Sequence, residues 1–225
     1  TDSYAMPSGE EEVERVSTIS WSRWNSPFGR GELAPMKLES GELLVLRGGS
    51  GLGKTTFLNS ILRFNESASI EVNNAPIENF SKESLHKEIG WAPQHPALIS
   101  GSIRQLFTLV NPQLTDRDII TLLGEVGLHL SELSHGLDTF VSGIGEQSGE
   151  ISGGQKRRIS MARALATNPS LLIADEPTAD LDSKSAQEIL SLLRMRARAG
   201  MIVIAVLHAP DQVIDGAREI EMVER

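Results

Sequence analysis

Residues Gly48 to Thr55 read GGSGLGKT and fit the pattern G-x-x-x-x-G-K-[ST]. That spacing suits phosphate chemistry. Gly48, Gly49, Gly51 and Gly53 supply the freedom that lets successive backbone N–H groups turn inward onto phosphate oxygens. Lys54 adds a mobile positive charge, and the Thr55 hydroxyl is a donor suited to Mg2+. Ser50, Leu52 and Thr56 complete the stretch around the anion. Further along, Leu171 to Glu176 (LLIADE) ends an apolar run with two carboxylates. On a buried parallel strand such a run delivers its end to the ligand crevice along the carboxyl edge of the sheet. Asp175 is then placed to hold Mg2+, directly or through water, and Glu176 to polarise an attacking water as a base. Between the two lies Ile151 to Gln155 (ISGGQ). There Ser152, Gly153 and Gly154 precede an amphipathic helical pattern from Lys156 to Ala166. A hydroxyl, glycine amides and a helix N-terminus together make a second anion site.

Each motif also has a plainer reading. GGSGLGKT could be a glycine-rich turn, the acidic pair could cap a helix, and SGGQ could be any helix cap. The surrounding elements bear on the first of these. Leu43 to Leu46 is a short apolar run that feeds straight into the glycines, and Phe57, Leu58, Ile61 and Leu62 give helical spacing over Thr56 to Arg63. Strand, glycine loop and helix in that order are the setting a phosphate loop requires. Alternation predicts a strand over Ile19 to Trp24, and apolar runs predict others at Ala68 to Val72, Ile89 to Ala92, Leu171 to Ala174 and Met201 to Leu207. A helix is expected over Ser185 to Arg198. Strands alternating with helices at both ends imply an α/β fold with a parallel sheet, and the helical pattern from Ser102 to about Ala166 reads as an insertion.

Composition narrows the classes further. The 225 residues suffice for one domain, and with 4% aromatic content the core must be largely aliphatic. The most apolar stretch, Met201 to Leu207, is far too short to span a bilayer. The absence of cysteine excludes disulfides and thiolate metal sites. A net charge of −9 argues against a nucleic-acid partner. The opening residues, 1–12, are expected to be a flexible tail or a remnant of a cut in a longer chain, with one domain over 13–225.

The three motifs in this order resemble the nucleotide-binding domain of an ATP-binding cassette (ABC) transporter. The resemblance covers nearly the whole chain from about Val13. It implies a P-loop NTPase (RecA-like) parallel-sheet core with an antiparallel β subdomain and an inserted α-helical subdomain, with ATP and Mg2+ as ligands. It also implies that ISGGQ closes on the ATP of a second cassette, with Ile151 standing where the family usually has Leu. Pro177 to Asp182 resembles the family's D-loop, carried by Asp180, Leu181 and Asp182. Gln94 resembles the Q-loop glutamine near Mg2+, and His208 the switch histidine at the γ-phosphate. Lys54, Glu176 and His208 would then be the catalytic group. An early aromatic residue stacks on adenine in the family, and the alignment favours Trp24 over Trp21.

Gln94 to Ile103 (QHPALISGSI) resembles the exporter form, as does Gly143 to Gly149 (GIGEQSG) with Glu146 at its acidic position. Both loops would meet a transmembrane domain, expected to be fused upstream, at the cytoplasmic face of a membrane. The K-R-R after Gln155 and the PTADLD run are similar to the heterodimeric thiol exporters of cytochrome bd assembly. Two alternatives stay open on the residues alone, a soluble ABC ATPase outside transport and a regulatory cassette that binds ATP without turnover.

Overall fold

The runs Leu171–Asp175 and Ile202–Val206 are buried at every position, as strands covered on both faces must be. They lie at the centre of the fold in a computed structural model that describes residues 9–27, 30–65, 69–142, 151–208 and 212–225. In chain order, β1 (Thr18–Trp21), β2 (Trp24–Asn25), β3 (Gly31–Leu33), β4 (Met36–Glu39) and β5 (Leu43–Gly48) lead into α1 (Lys54–Ile61). Next come β6 (Ile70–Val72), β7 (Ala75–Pro76), α2 (Lys82–Glu88), β8 (Ile89–Ala92) and β9 (Gly101–Ser102). The helices α3 (Ile103–Thr108) and α4 (Asp116–Glu125) are followed by β10 (Phe140–Val141) and α5 (Gly153–Ala164). The chain closes with β11 (Leu171–Asp175), α6 (Ser183–Arg198), β12 (Ile202–Val206) and β13 (Arg218–Glu224).

The main sheet has seven strands in the order β2-β3-β13-β5-β12-β11-β8. Pairing is parallel from β13 to β8 and antiparallel at the β2–β3 edge. The register aligns two strand ends. Val206 stands opposite both Leu46 and Asp175, so β12 and β11 end level while β5 runs two residues further, to Gly48. Alternate residues of β5 enter different cores: Leu43 and Val45 join the helices α3 to α6 on one face, while Leu44 and Leu46 join α1 and the second sheet on the other. That second sheet is antiparallel and four-stranded, β4-β1-β6-β7. Phe57 of α1 is fully buried between the layers, edge-on to Trp21 at 4.8 Å and to Trp24 at 5.3 Å. Truncating it to Ala would cost about 3–5 kcal/mol.

Side-chain caps start the helices of the insertion. Ser102 with Gln105, Thr115 with Asp118 and Ser152 with Gln155 each form a reciprocal capping box, which satisfies backbone N–H groups that a first turn leaves free. The expected helical stretch is less uniform than its pattern suggests. A two-stranded ribbon pairs β9 with β10 at its base, and α5 packs back onto β8 of the main sheet. Strand Ile19 to Trp24 is likewise broken, because β1 belongs to the antiparallel sheet and β2 to the main one. Residues 9–12 are docked rather than free: Glu11 N–H donates to Asn79 O at 3.1 Å and Ser81 N–H to Glu11 O at 2.8 Å. Among the described residues no helix is long and apolar enough to cross a membrane.

Candidate functional site

The neighbouring ends of β5, β11 and β12 bring the chemistry together. Beyond β5 the chain runs through the glycine loop, with Gly48, Gly51 and Gly53 at φ 135°, 78° and 107°, in the region that favours glycine. At Gly48 a side chain would also collide, since its Cβ would sit 2.6 Å from Met222 O in β13. Gly49, Ser50 and Gly51 are exposed. The helix that follows, α1, has no side-chain cap and no acid in its first turn, whereas α2 to α6 are all capped by side chains. Its positive end is left for an anion.

Lys54 and Thr55 open α1. The Lys54 ammonium is buried and donates to the carbonyls of Gly48 at 2.9 Å and Gly49 at 2.8 Å. Burial lowers its pKa, opposed by the nearby charges of Glu176 and Asp175. Thr55 Oγ1 donates to Asp175 Oδ2 at 2.6 Å. Asp175 ends β11 and is 1% exposed, and its Oδ1 is buried with no hydrogen-bond partner. Desolvation pushes its carboxyl pKa up; the Thr55 hydroxyl pulls it down, Glu176 adds to the rise, and Lys54 and His208 oppose it. Glu176 follows at φ 51°, a left-handed backbone in a non-glycine residue, with its N–H on Val206 O at 3.2 Å. Its Oε1 lies 2.6 Å from Nε2 of His208, which stands two residues beyond β12. Lys54, Thr55, Asp175, Glu176 and His208 are therefore one connected group.

The other residues singled out from the sequence fall into different places. Gln94 lies two residues past β8, and its carbonyl accepts from Arg157 at 3.1 Å. Ser152 and Gly153 are exposed and Ile151 is buried. The Ser152 hydroxyl accepts from Gln155 N–H at 3.2 Å, so the plainer reading of a helix cap is met in part. Gln155 also donates to Glu132 O at 3.0 Å. None of these bonds reaches the phosphate loop of the same chain. Gly154 lies against Leu181, where an added Cβ would meet Cδ2 at 3.3 Å. Asp180 adopts φ 58°, and Asp182 caps α6 by accepting from the N–H groups of Lys184 and Ser185. Glu146 and its neighbours lie outside the described residues.

Both tryptophans considered for the base are buried in this structure. The Trp24 ring sits beside the phosphate loop, but it is 4% exposed and packed edge-on against Phe57. Trp21 is buried against the same ring and donates from Nε1 to Ala34 O at 3.0 Å. In this arrangement neither offers a free face for a base. One residue was missed altogether. Arg157, inside the K-R-R run, is buried and joins two loops through three acceptors. A basic residue among the apolar positions of a helix was the signal that could have found it.

Residues 34–179 match the model of the family described as ABC transporter, a span that holds the glycine loop, Gln94, ISGGQ, Asp175 and Glu176. The chain is 32% identical over 195 residues to the glutathione/L-cysteine transport system ATP-binding/permease protein CydD of Escherichia coli, covering 84% of this chain and 32% of that protein. It is 33% identical over 190 residues to the mitochondrial ATP-dependent permease MDL1 of Saccharomyces cerevisiae, covering 81% and 27%. The chain thus spans less than a third of the length of these curated relatives. A bacterial Atm1-family ABC exporter with ATP bound has the same fold, with a TM-score of 0.81 over 99% of this chain and 39% of that one, at 24% identity. With the glycine loop, ISGGQ and the acidic strand end all inside the matched span, this chain belongs to the ABC transporter family.

Proposed function

We propose that the chain binds and hydrolyses ATP, and that closure of this site against a second cassette powers an exporter. The observation that carries the reading is the meeting of Lys54, Thr55, Asp175, Glu176 and His208 at the carboxyl edge of the sheet, beside an uncapped helix N-terminus. Lys54 now rests on two neutral carbonyls. Exchanging them for phosphate oxygens sets its charge against ionised acceptors.

The oxygen donors fit Mg2+, because Asp175 has a buried oxygen without a partner and its other oxygen holds the Thr55 hydroxyl. Thr55, Asp175 and Gln94 would hold the ion, which when bound neutralises charge on the phosphates. Glu176 accepts the proton of the attacking water, and His208 keeps that carboxylate in place through the contact at Nε2. Gly48 to Thr56 cradle the phosphates with their backbone N–H groups.

The exposed Ser152 and Gly153 serve the nucleotide of the second cassette, together with Ile151, Gly154, Gln155 and the loop Asp180 to Asp182. In support of this, their hydrogen bonds stay clear of their own phosphate loop. The name of the CydD relative, an ATP-binding/permease protein, supports a transmembrane partner carried on the same chain. We place this domain on the cytoplasmic face, with the helical insertion over about 102–166 turned toward that partner. The test is MgATP binding and turnover in Lys54→Ala, where weakened binding and loss of turnover in an intact fold are expected. Wild-type binding would overturn the site.

A further inference from the structure

Arg157 lies in the first turns of α5 with its side chain 10% exposed. Its guanidinium donates to the carbonyl of Gln94 at 3.1 Å, to the carbonyl of Ala179 and to Asp180 Oδ2 at 3.2 Å. Gln94 follows β8 and Ala179 follows β11, two strands that are paired in parallel, so one side chain spans the ends of neighbouring strands. Next to it, Arg158 goes elsewhere, to Gly127 O at 2.6 Å and Glu132 at 3.1 Å in the helical insertion. The planar fork of five donors suits three separate acceptors, which a lysine ammonium at one point cannot match.

The contact reaches the proposed base in one further step. Ala179 N–H donates to Glu176 O at 3.2 Å, so the residue whose carbonyl Arg157 holds in turn holds the backbone of Glu176 through its N–H. That backbone is at φ 51°. A non-glycine residue keeps such a conformation only where its surroundings fix it. The helix N-terminus carrying Ser152 and Gly153 is tied to the same loop through Gly154 against Leu181.

We propose that Arg157 is a positioning residue that locks the loop after Gln94, the loop at Ala179 and Asp180, and the N-terminus of α5 into one register, and so sets Glu176 for hydrolysis. The role rests on the reading of the chain as an ATP hydrolase. It predicts that displacing the Gln94 loop moves the backbone next to Glu176 without touching the phosphate loop.

The chain has no cysteine, so nitroxide labels on His95→Cys and Lys184→Cys, both exposed, report one distance between the loop after Gln94 and the start of α6, into which the loop at Ala179 and Asp180 leads. Measured by pulsed electron resonance on the whole chain, the distribution is expected to be narrow with Arg157, broad in Arg157→Ala and intermediate in Arg157→Lys. Turnover of MgATP should fall about tenfold or more in Arg157→Ala while KM stays within about twofold, with part of the loss restored in Arg157→Lys. Wild-type turnover or an unchanged distribution in Arg157→Ala would overturn the role alone. Loss of MgATP binding in both variants would overturn it as well, since it would mark general damage. A wild-type chain without turnover would overturn the parent reading and this role with it.

Discussion

Glu176 Oε1 and His208 Nε2 lie 2.6 Å apart although 32 positions separate them in the chain. The sheet register produces the contact, because Asp175 pairs with Val206 and the chain emerges from both strands at one level. A carboxylate accepts, so Nε2 carries the proton and donates it. His208→Ala leaves the proposed base without this donor. ATP turnover is expected to fall about tenfold or more with MgATP binding kept. Steady-state phosphate release read alongside equilibrium binding checks this, and unchanged release would remove His208 from the site.

Lys54→Ala removes a charge that burial already disfavours, so the fold should survive. Charge-assisted bonds contribute roughly 1.5–3 kcal/mol each, so the Kd for MgATP should rise about 10–100-fold. Isothermal titration together with circular dichroism separates lost binding from lost structure.

Asp175 gives a pH signature in the nucleotide-free chain. Burial raises its pKa, so the folded state holds the proton more readily than the unfolded one. Its contribution to stability is therefore full below the ordinary carboxylate pKa and lost as pH rises through the folded value. Asp175→Asn keeps an oxygen acceptor for Thr55 and cannot ionise. The variant should be more stable than wild type at neutral pH, with the difference shrinking toward about pH 4. For a domain of this size each ~1 kcal/mol appears as roughly 2–4 °C in Tm. A Tm for the variant below that of wild type at neutral pH would contradict this reading of Asp175.

Assembly should depend on nucleotide. Two copies at −9 each repel, so the chain without ATP should be monomeric at low salt. Glu176→Gln keeps the side-chain shape but removes the base, so the ATP-bound dimer should accumulate. Adding Ser152→Arg places a bulky charge at the exposed start of α5 and should restore the monomer. Light scattering with and without MgATP reads both. A Glu176→Gln chain that binds ATP yet stays monomeric would reject a dimer of identical copies and point to a different cassette as partner.

The sequence revealed those parts of the fold whose physics is local. Unbroken aliphatic runs marked β11 and β12 because strands buried on both faces tolerate little else. Gly48 to Thr55 was legible because few residue types permit that backbone. β13 (REIEMVE) went unread, since charged residues interrupt its few buried positions and its place beside β5 is set by pairing distant in sequence. At Trp24 the position ahead of the glycine loop was legible, but no sequence pattern shows that Phe57 packs against its ring. Arg157 was hidden for a similar reason, because its three acceptors are loop groups brought near only by the folded sheet.

The role of Glu176 as the base is exposed most sharply by single-turnover release of phosphate from bound ATP. Glu176→Gln is compared with the unaltered chain at matched, saturating protein concentration. A positioned general base accounts for about 10²–10⁴ in rate. Glu176→Gln is expected to hold MgATP at least as tightly while releasing phosphate slower by about a hundredfold or more. Release at the unaltered rate, from a variant that binds ATP normally, would contradict the assignment of Glu176 and the hydrolytic site built around it.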